Sequence, residues 1–97
     1  MEGVLIVKES EKKVFKISGS SPVPQTAGSI VKSFEDGYEI ELRAIGAGAI
    51  CQAYKACAVA RGILASKSKE LSIKPGFDET TIDGEERTVL VAQVVIK

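Results

Sequence analysis

Ala44-Ile45-Gly46-Ala47-Gly48-Ala49-Ile50-Cys51-Gln52-Ala53-Tyr54-Lys55-Ala56-Cys57-Ala58-Val59-Ala60-Arg61-Gly62-Ile63-Leu64 is the stretch on which the fold turns. It leaves a strand predicted over Glu39 to Ile45, passes a Gly-Ala-Gly turn, and enters a helix whose alanine content gives near-maximal intrinsic propensity. At about 100° per residue, Gly48, Gln52, Lys55, Val59 and Gly62 fall on one arc, and Ile50, Ala53, Tyr54, Cys57, Ala60 and Leu64 fill the opposite side. The flanks are again small and apolar. A helix this apolar over most of its circumference needs cover on more than one side, from its own sheet and from a second subunit. Its small side chains let another backbone come close.

Working outward toward the N-terminus, Tyr38, Ile40, Leu42 and Ala44 alternate with Glu39, Glu41 and Arg43, the pattern of a half-buried strand. Before it, Ser21 is the expected N-cap of a helix with Pro22 at its first position and Pro24 still in the first turn, where a missing N–H breaks no bond. Val23, Ala27, Ile30 and Phe34 follow at helical spacing, and Gly37 closes the helix in the left-handed conformation. Val4 to Val7 and Val14 to Ile17 read as short strands on either side of the charged run Lys8 to Lys13.

Toward the C-terminus, the central helix is expected to end near Ala65 to Lys67. Leu71 and Ile73 begin a strand that meets Pro75-Gly76, where proline requires an edge position or a bulge. Asp83-Gly84 marks a tight turn. Thr88 to Ile96 is apolar on both faces apart from Gln93, so a last strand covered on both sides is expected. The order strand, helix, strand, helix, strand, strand, with an extra N-terminal strand, is that of an α+β sandwich of one sheet and two helices.

Bulk properties narrow the function. Ninety-seven residues make one domain that buries roughly two-thirds of its unfolded surface. No apolar run approaches the ~20 residues of a membrane span. The N-terminus lacks the basic and apolar regions of a signal peptide, so a cytoplasmic location and no membrane partner are expected. The chain contains no histidine, which removes imidazole acid–base chemistry, the Ser-His-Asp and Cys-His arrangements and the common zinc sites. No catalytic residue, metal site, cofactor or small-molecule substrate is expected. Cys51 and Cys57, about 9 Å apart along one helix and about 120° apart around it, cannot form a disulfide there and are expected in the core.

Charge is balanced overall but not locally. Residues 1–43 carry six basic and seven acidic groups, residues 44–77 five and one, and residues 78–97 two and five. The central helix and the segment after it are therefore basic and the last hairpin acidic, an asymmetry able to steer a polyanion or to set subunits in register. The acidic run Asp78 to Arg87 reads as a solvated hairpin tip or as a contact to a basic patch on another subunit.

The turn Gly46-Ala47-Gly48 is the most informative chemical feature. A dinucleotide fingerprint needs Gly or Ala where Cys51 stands, and the chain is too short for a full dinucleotide-binding unit. What remains is the helix N-terminus itself. Free amides and the positive end of the dipole at Gly48 to Cys51 suit a phosphate, with Gln52 and Lys55 on the same arc extending the contact. Alternatively, the two glycines only permit a tight turn and close packing.

Ala44-Ile45-Gly46-Ala47-Gly48-Ala49, Gln52-Ala53, Lys55-Ala56, Ala58 and Ala60-Arg61-Gly62, with Ser20-Ser21-Pro22 and Ala27-Gly28 before them and Ile82-Asp83-Gly84-Glu85-Glu86-Arg87-Thr88 after, resemble the stage V sporulation protein S family. The resemblance covers about residues 14–96 and leaves 1–13 as an N-terminal extension. That family is similar in fold to the Alba superfamily of small nucleic-acid-binding dimers. The resemblance implies an Alba-like α+β homodimer, able to assemble further, that acts as a non-enzymatic regulator of sporulation and septation. It also implies DNA or RNA as a partner, held by its phosphate backbone along Ser20, Ser21, Gly46, Gly48, Gln52 and Lys55. The rival reading is a protein-interaction or assembly module of the same fold without nucleic-acid binding.

Overall fold

The computed structural model describes residues 4–9 and 11–97; the first three residues of the expected N-terminal extension lie outside the described residues. Seven elements run in chain order: β1 (Leu5–Glu9), β2 (Lys12–Ile17), α1 (Val23–Glu35), β3 (Glu39–Ala44), α2 (Ala47–Ala65), β4 (Leu71–Ile82) and β5 (Glu85–Ile96). They form one five-stranded sheet, in the order β1-β2-β3-β5-β4, and two helices. The fold is α+β, compatible with an Alba-like sandwich.

Strand directions decide where the helices begin. β2 pairs parallel with β3, β3 antiparallel with β5, and β5 antiparallel with β4. Strands β2, β3 and β4 therefore run the same way, and each helix is the crossover that a parallel connection requires. Both helices start at the sheet edge where β2 and β3 end.

The strand alternation sorts side chains onto two faces. Phe15 and Ile17 of β2, with Ile40, Leu42 and Ala44 of β3, meet Ala27, Ile30 and Val31 of α1 and Ala49, Ala53, Ala56, Cys57, Ala60 and Leu64 of α2 in one core. Phe15, Ala27, Ile30, Ala56, Ala60 and Leu64 are fully buried. Alanine is what allows α2 to lie this close to its neighbours.

Several boundaries differ from the expectations drawn from sequence. The charged run between the first two strands is mostly strand: Lys8 and Glu9 belong to β1, and Lys12 and Lys13 to β2. Helix α1 is capped by Pro22, not Ser21, because the Ser21 hydroxyl is committed to its own loop, accepting the Ser18 N–H at 2.9 Å. β4 passes Pro75-Gly76 in unbroken register from Leu71↔Ile96 to Ile82↔Glu85. Proline is accommodated because β4 is an edge strand and no bulge is needed.

Three burial expectations are corrected. Cys51 is exposed and only Cys57 is buried; burial pushes the Cys57 thiol up to about 11, so it stays protonated at neutral pH. Tyr54 is 69% exposed on the rim of α2. β5 is a central strand, but the helices cover one face only, and Val91 and Val95 on the other remain half-buried.

The open face of the sheet carries an ion-pair cluster where the sequence reads only as a solvated stripe. Glu41, 8% exposed, accepts from Lys12 Nζ at 3.2 Å and from Arg43 Nη1 at 3.1 Å, while Arg43 Nη2 reaches Asp78 across β5 at 3.2 Å. The pair with Glu41, then that with Asp78, raises the Arg43 pKa despite partial burial.

Because Ala60 is fully buried in the core between α2 and its neighbours, Ala60→Leu is expected to force α2 outward. Chemical denaturation should show a loss of about 1–3 kcal/mol, the usual cost of overpacking.

Candidate functional site

The Gly-Ala-Gly turn and the β2–α1 loop are brought together by the parallel pairing of β2 and β3. Ser18 to Pro22 leave the end of β2, Ile45 and Gly46 leave the end of β3, and Ile17↔Ala44 is the last register pair between the two strands. The two chain segments then touch through glycine. A Cβ on Gly48 would sit 3.7 Å from the Gly19 Cα, and one on Gly19 would sit 3.8 Å from the Gly48 carbonyl carbon. Those contacts are ordinary in length, so the pair sets how near the loops lie without forbidding a single methyl group.

Gln52 fastens the two loops. Its side-chain amide donates to the Ser21 carbonyl at 2.8 Å, and Ser21 is 1% exposed. Ser18 completes the loop: its hydroxyl lies 3.2 Å from that of Ser20 and 3.3 Å from that of Ser21, and it accepts the Ser20 N–H at 3.3 Å. Of the six residues singled out in the sequence, Ser21 and Gln52 thus build the site from within, while Ser20, Gly46 and Gly48 line its open side. Lys55 is exposed on α2, about 10 Å along the axis from Gly48.

Both helix N-termini are bare at this edge. Neither α1 nor α2 has a side-chain cap, and neither has an acidic residue in its first turn. The first amides of an α-helix have no partner within the helix, and the missing carboxylates leave the positive dipole ends uncompensated. Gly46 holds the chain at φ +89, ψ 157 as it turns into α2, a conformation open essentially to glycine alone.

The position of the last hairpin is not something its sequence reveals. β3 stops pairing at Ala44↔Leu90, so β4 from Phe77 onward and β5 before Leu90 pair only with each other. This arm runs on past the last β3–β5 pair, in a molecule 45 Å along its longest axis. Asp83 (φ 52) and Gly84 (φ 81) form its tip. The arm carries Asp78, Glu79, Asp83, Glu85 and Glu86 against Arg87. Asp78 is engaged within the chain: the Glu79 N–H at 2.8 Å and Arg43 hold its carboxylate below the ordinary range.

Beside the entrance lies an apolar groove of about 290 Å³, lined by Ile50, Ala53, Tyr54 and Cys57 of α2 and by Ile73, Pro75, Leu90 and Ala92 of the sheet. Phe77, 76% exposed, follows the same face of β4 beyond Pro75. Among the described residues there is no cluster of three or more side chains suited to a metal ion, and no helix is long and apolar enough to cross a membrane.

Removing the Gln52 fastening tests this construction. Gln52→Ala removes a hydrogen-bond donor from the Ser21 carbonyl and should cost about 0.5–1.5 kcal/mol in urea unfolding.

The comparison with known families bears on the whole domain. The family model for stage V sporulation protein S matches residues 13–97, the fold from the second residue of β2 onward, including the entrance, the groove and the hairpin arm. The chain therefore belongs to the stage V sporulation protein S family and has a sporulation-related role.

Proposed function

We propose that this protein is a non-enzymatic regulator that works as a homodimer and holds a nucleic-acid backbone at the paired entrance of α1 and α2. The observation that carries the reading is that α1 and α2 both start at one edge of the sheet, beside the close approach of Gly19 and Gly48, with neither a side-chain cap nor an acidic residue in the first turn of either helix. Phosphate is the ligand such an arrangement suits, through backbone N–H donors and the dipole. Ser20 adds an exposed hydroxyl, and Lys55, which makes no ion pair among the described residues, adds charge. Ser21 and Gln52 keep the two loops at the spacing that the contact requires. Such contacts go to the backbone, so sequence preference is slight and affinity falls steeply with salt.

A second copy is the proposed cover for the groove between α2 and the β4–β5 hairpin. The groove is almost wholly apolar, Tyr54 stands exposed along it, and Phe77 stands exposed two residues beyond its Pro75, as expected of an interface missing its other half. The rival reading, an interaction module without nucleic acid, draws on the acidic arm: its five carboxylates project past the same edge and repel a phosphate chain that crosses them.

Two measurements separate these readings. Gly48→Asp puts a carboxylate into the first turn of α2, which favours the helix by about 0.3–1 kcal/mol but opposes a phosphate. The expected result is an unchanged or raised Tm together with at least tenfold weaker binding of labelled single-stranded and duplex oligonucleotides at low salt, with Lys55→Glu also weakening binding. Equal binding by wild type and both variants, or no binding by any, removes the nucleic-acid reading. For the interface, light scattering should find a dimer that Phe77→Asp or Tyr54→Glu converts to monomer; a monomeric wild type at tens of micromolar contradicts it.

A further inference from the structure

We infer that the recess between the β2–α1 loop and the root of the β4–β5 arm receives a nucleobase, so that the partner at the helix entrance is a single strand whose phosphate sits at the entrance and whose adjoining base turns into the recess. This inference rests on the reading of the entrance as a phosphate site and goes beyond it in naming the kind of strand and its orientation.

The strand registers place the recess. Lys16↔Arg43, Arg43↔Val91, Asp78↔Val89 and Thr80↔Arg87 are opposed pairs, and side chains alternate along each strand. Lys16, Arg43, Val89 and Thr80 therefore share the sheet face that points away from the helices. Where β2 and β3 stop and the arm continues, they border with Ser18 and Gly19 a recess of about 560 Å³, within the range of roughly 300–1,000 Å³ usual for small-ligand sites. Gly19 lines this recess and also makes the close approach to Gly48, so recess and entrance adjoin at one residue. Thr80, Ile82 and Val89 belong to the arm short of its Asp83-Gly84 tip.

The lining has the parts that an unpaired base requires. Ile45, Ile82 and Val89 supply apolar surface. Arg43 supplies a plane: Glu41 holds its Nη1 at 3.1 Å and Asp78 its Nη2 at 3.2 Å, which fixes the guanidinium from both ends, and such planes are stacking surfaces for splayed-out bases. Ser18 and Thr80 bring hydroxyls that donate to or accept from a base edge. Lys16 makes no ion pair among the described residues and is exposed, a free charge for the phosphate side.

Charge sets the orientation. The carboxylates of the arm repel a phosphate, whereas a base is uncharged and carries N–H donors on its edge. A strand with its phosphates toward Lys16 and the helix amides, and a base toward the arm, suits both signs at once. A duplex does not, because its bases are stacked and paired inside, and turning one out costs the stacking and pairing that a single strand largely lacks.

The test is fluorescence anisotropy of the full chain at low salt with three labelled probes of equal length: a single-stranded deoxyoligonucleotide, the duplex of the same sequence, and an abasic phosphodeoxyribose strand. Charge alone favours the duplex, whose phosphates are the most densely packed. The expected result is that the single strand binds at least tenfold more tightly than either other probe. Thr80→Leu, which fills the recess and removes its hydroxyl, should bring the single strand to the level of the abasic strand with abasic binding unchanged, and Thr80→Ser should keep the wild-type preference. A wild type that binds the duplex or the abasic strand as tightly as the single strand overturns this inference and leaves the phosphate reading standing, as does a Thr80→Leu variant with the full preference. No binding of any probe by the wild type overturns both. The wild-type comparison needs no variant to fold, and retained abasic binding is the sign that Thr80→Leu has folded.

Discussion

The contact on which the rest of this structure depends is between two backbones, Gly19 and Gly48. Parallel pairing of β2 with β3 sends both helices off from one edge of the sheet, and two successive strand-to-helix turns must then share the same space. Glycine at each lets the two backbones come to a separation at which an added Cβ would be in ordinary van der Waals contact. With glycine at each, Gln52 can reach the Ser21 carbonyl, and one hydrogen bond closes the arrangement. The same smallness continues down α2, where Ala49, Ala53, Ala56 and Ala60 are buried, so the helix lies flat on the sheet from its first turn to its last.

That packing has an electrostatic consequence. Two helix dipoles begin side by side with no acidic residue in either first turn, although caps and first-turn carboxylates are the ordinary means of satisfying those ends. The fold forgoes a stabilisation available to it at both places. Nearby, it lets a strongly acidic arm project from the same edge while binding Asp78 at the root of the arm to Arg43. The edge thus presents a positive recess and a negative arm together, which suits a ligand or partner whose own charge varies over the same span.

Much of the architecture is legible in the sequence because it is local. The alternation of Tyr38 to Ala44, the alanine run of α2, Gly37, and Asp83-Gly84 each specify an element through short-range chemistry. Pro75 marks β4 as an edge strand. What is not legible is what strand pairing brings together: the Lys12–Glu41–Arg43–Asp78 cluster joins residues from three strands, and no spacing along the chain reveals it. The N-cap of α1 lies one residue beyond the expected position because Ser21 has a competing partner in Ser18. Tyr54 falls on the apolar side of the wheel yet stands exposed, since a wheel ranks directions without knowing how much of the circumference the sheet covers, and Cys51, expected in the core from its residue type, is exposed as well. Of the site, Gly46, Gly48 and Ser20 are readable as an opening. That Ser21 and Gln52 face inward to hold it depends on the meeting of two loops 31 residues apart.

The central claim is that the paired helix entrance receives a phosphate backbone. Backbone amide chemical shifts test it most directly, followed while a short single-stranded oligonucleotide is titrated at low salt. The account predicts the largest shifts at Gly19, Ser20, Ala47, Gly48 and Ala49, with the β4–β5 tip unmoved. Shifts confined to the open face of the sheet or to the acidic arm, with those five amides unchanged, contradict it.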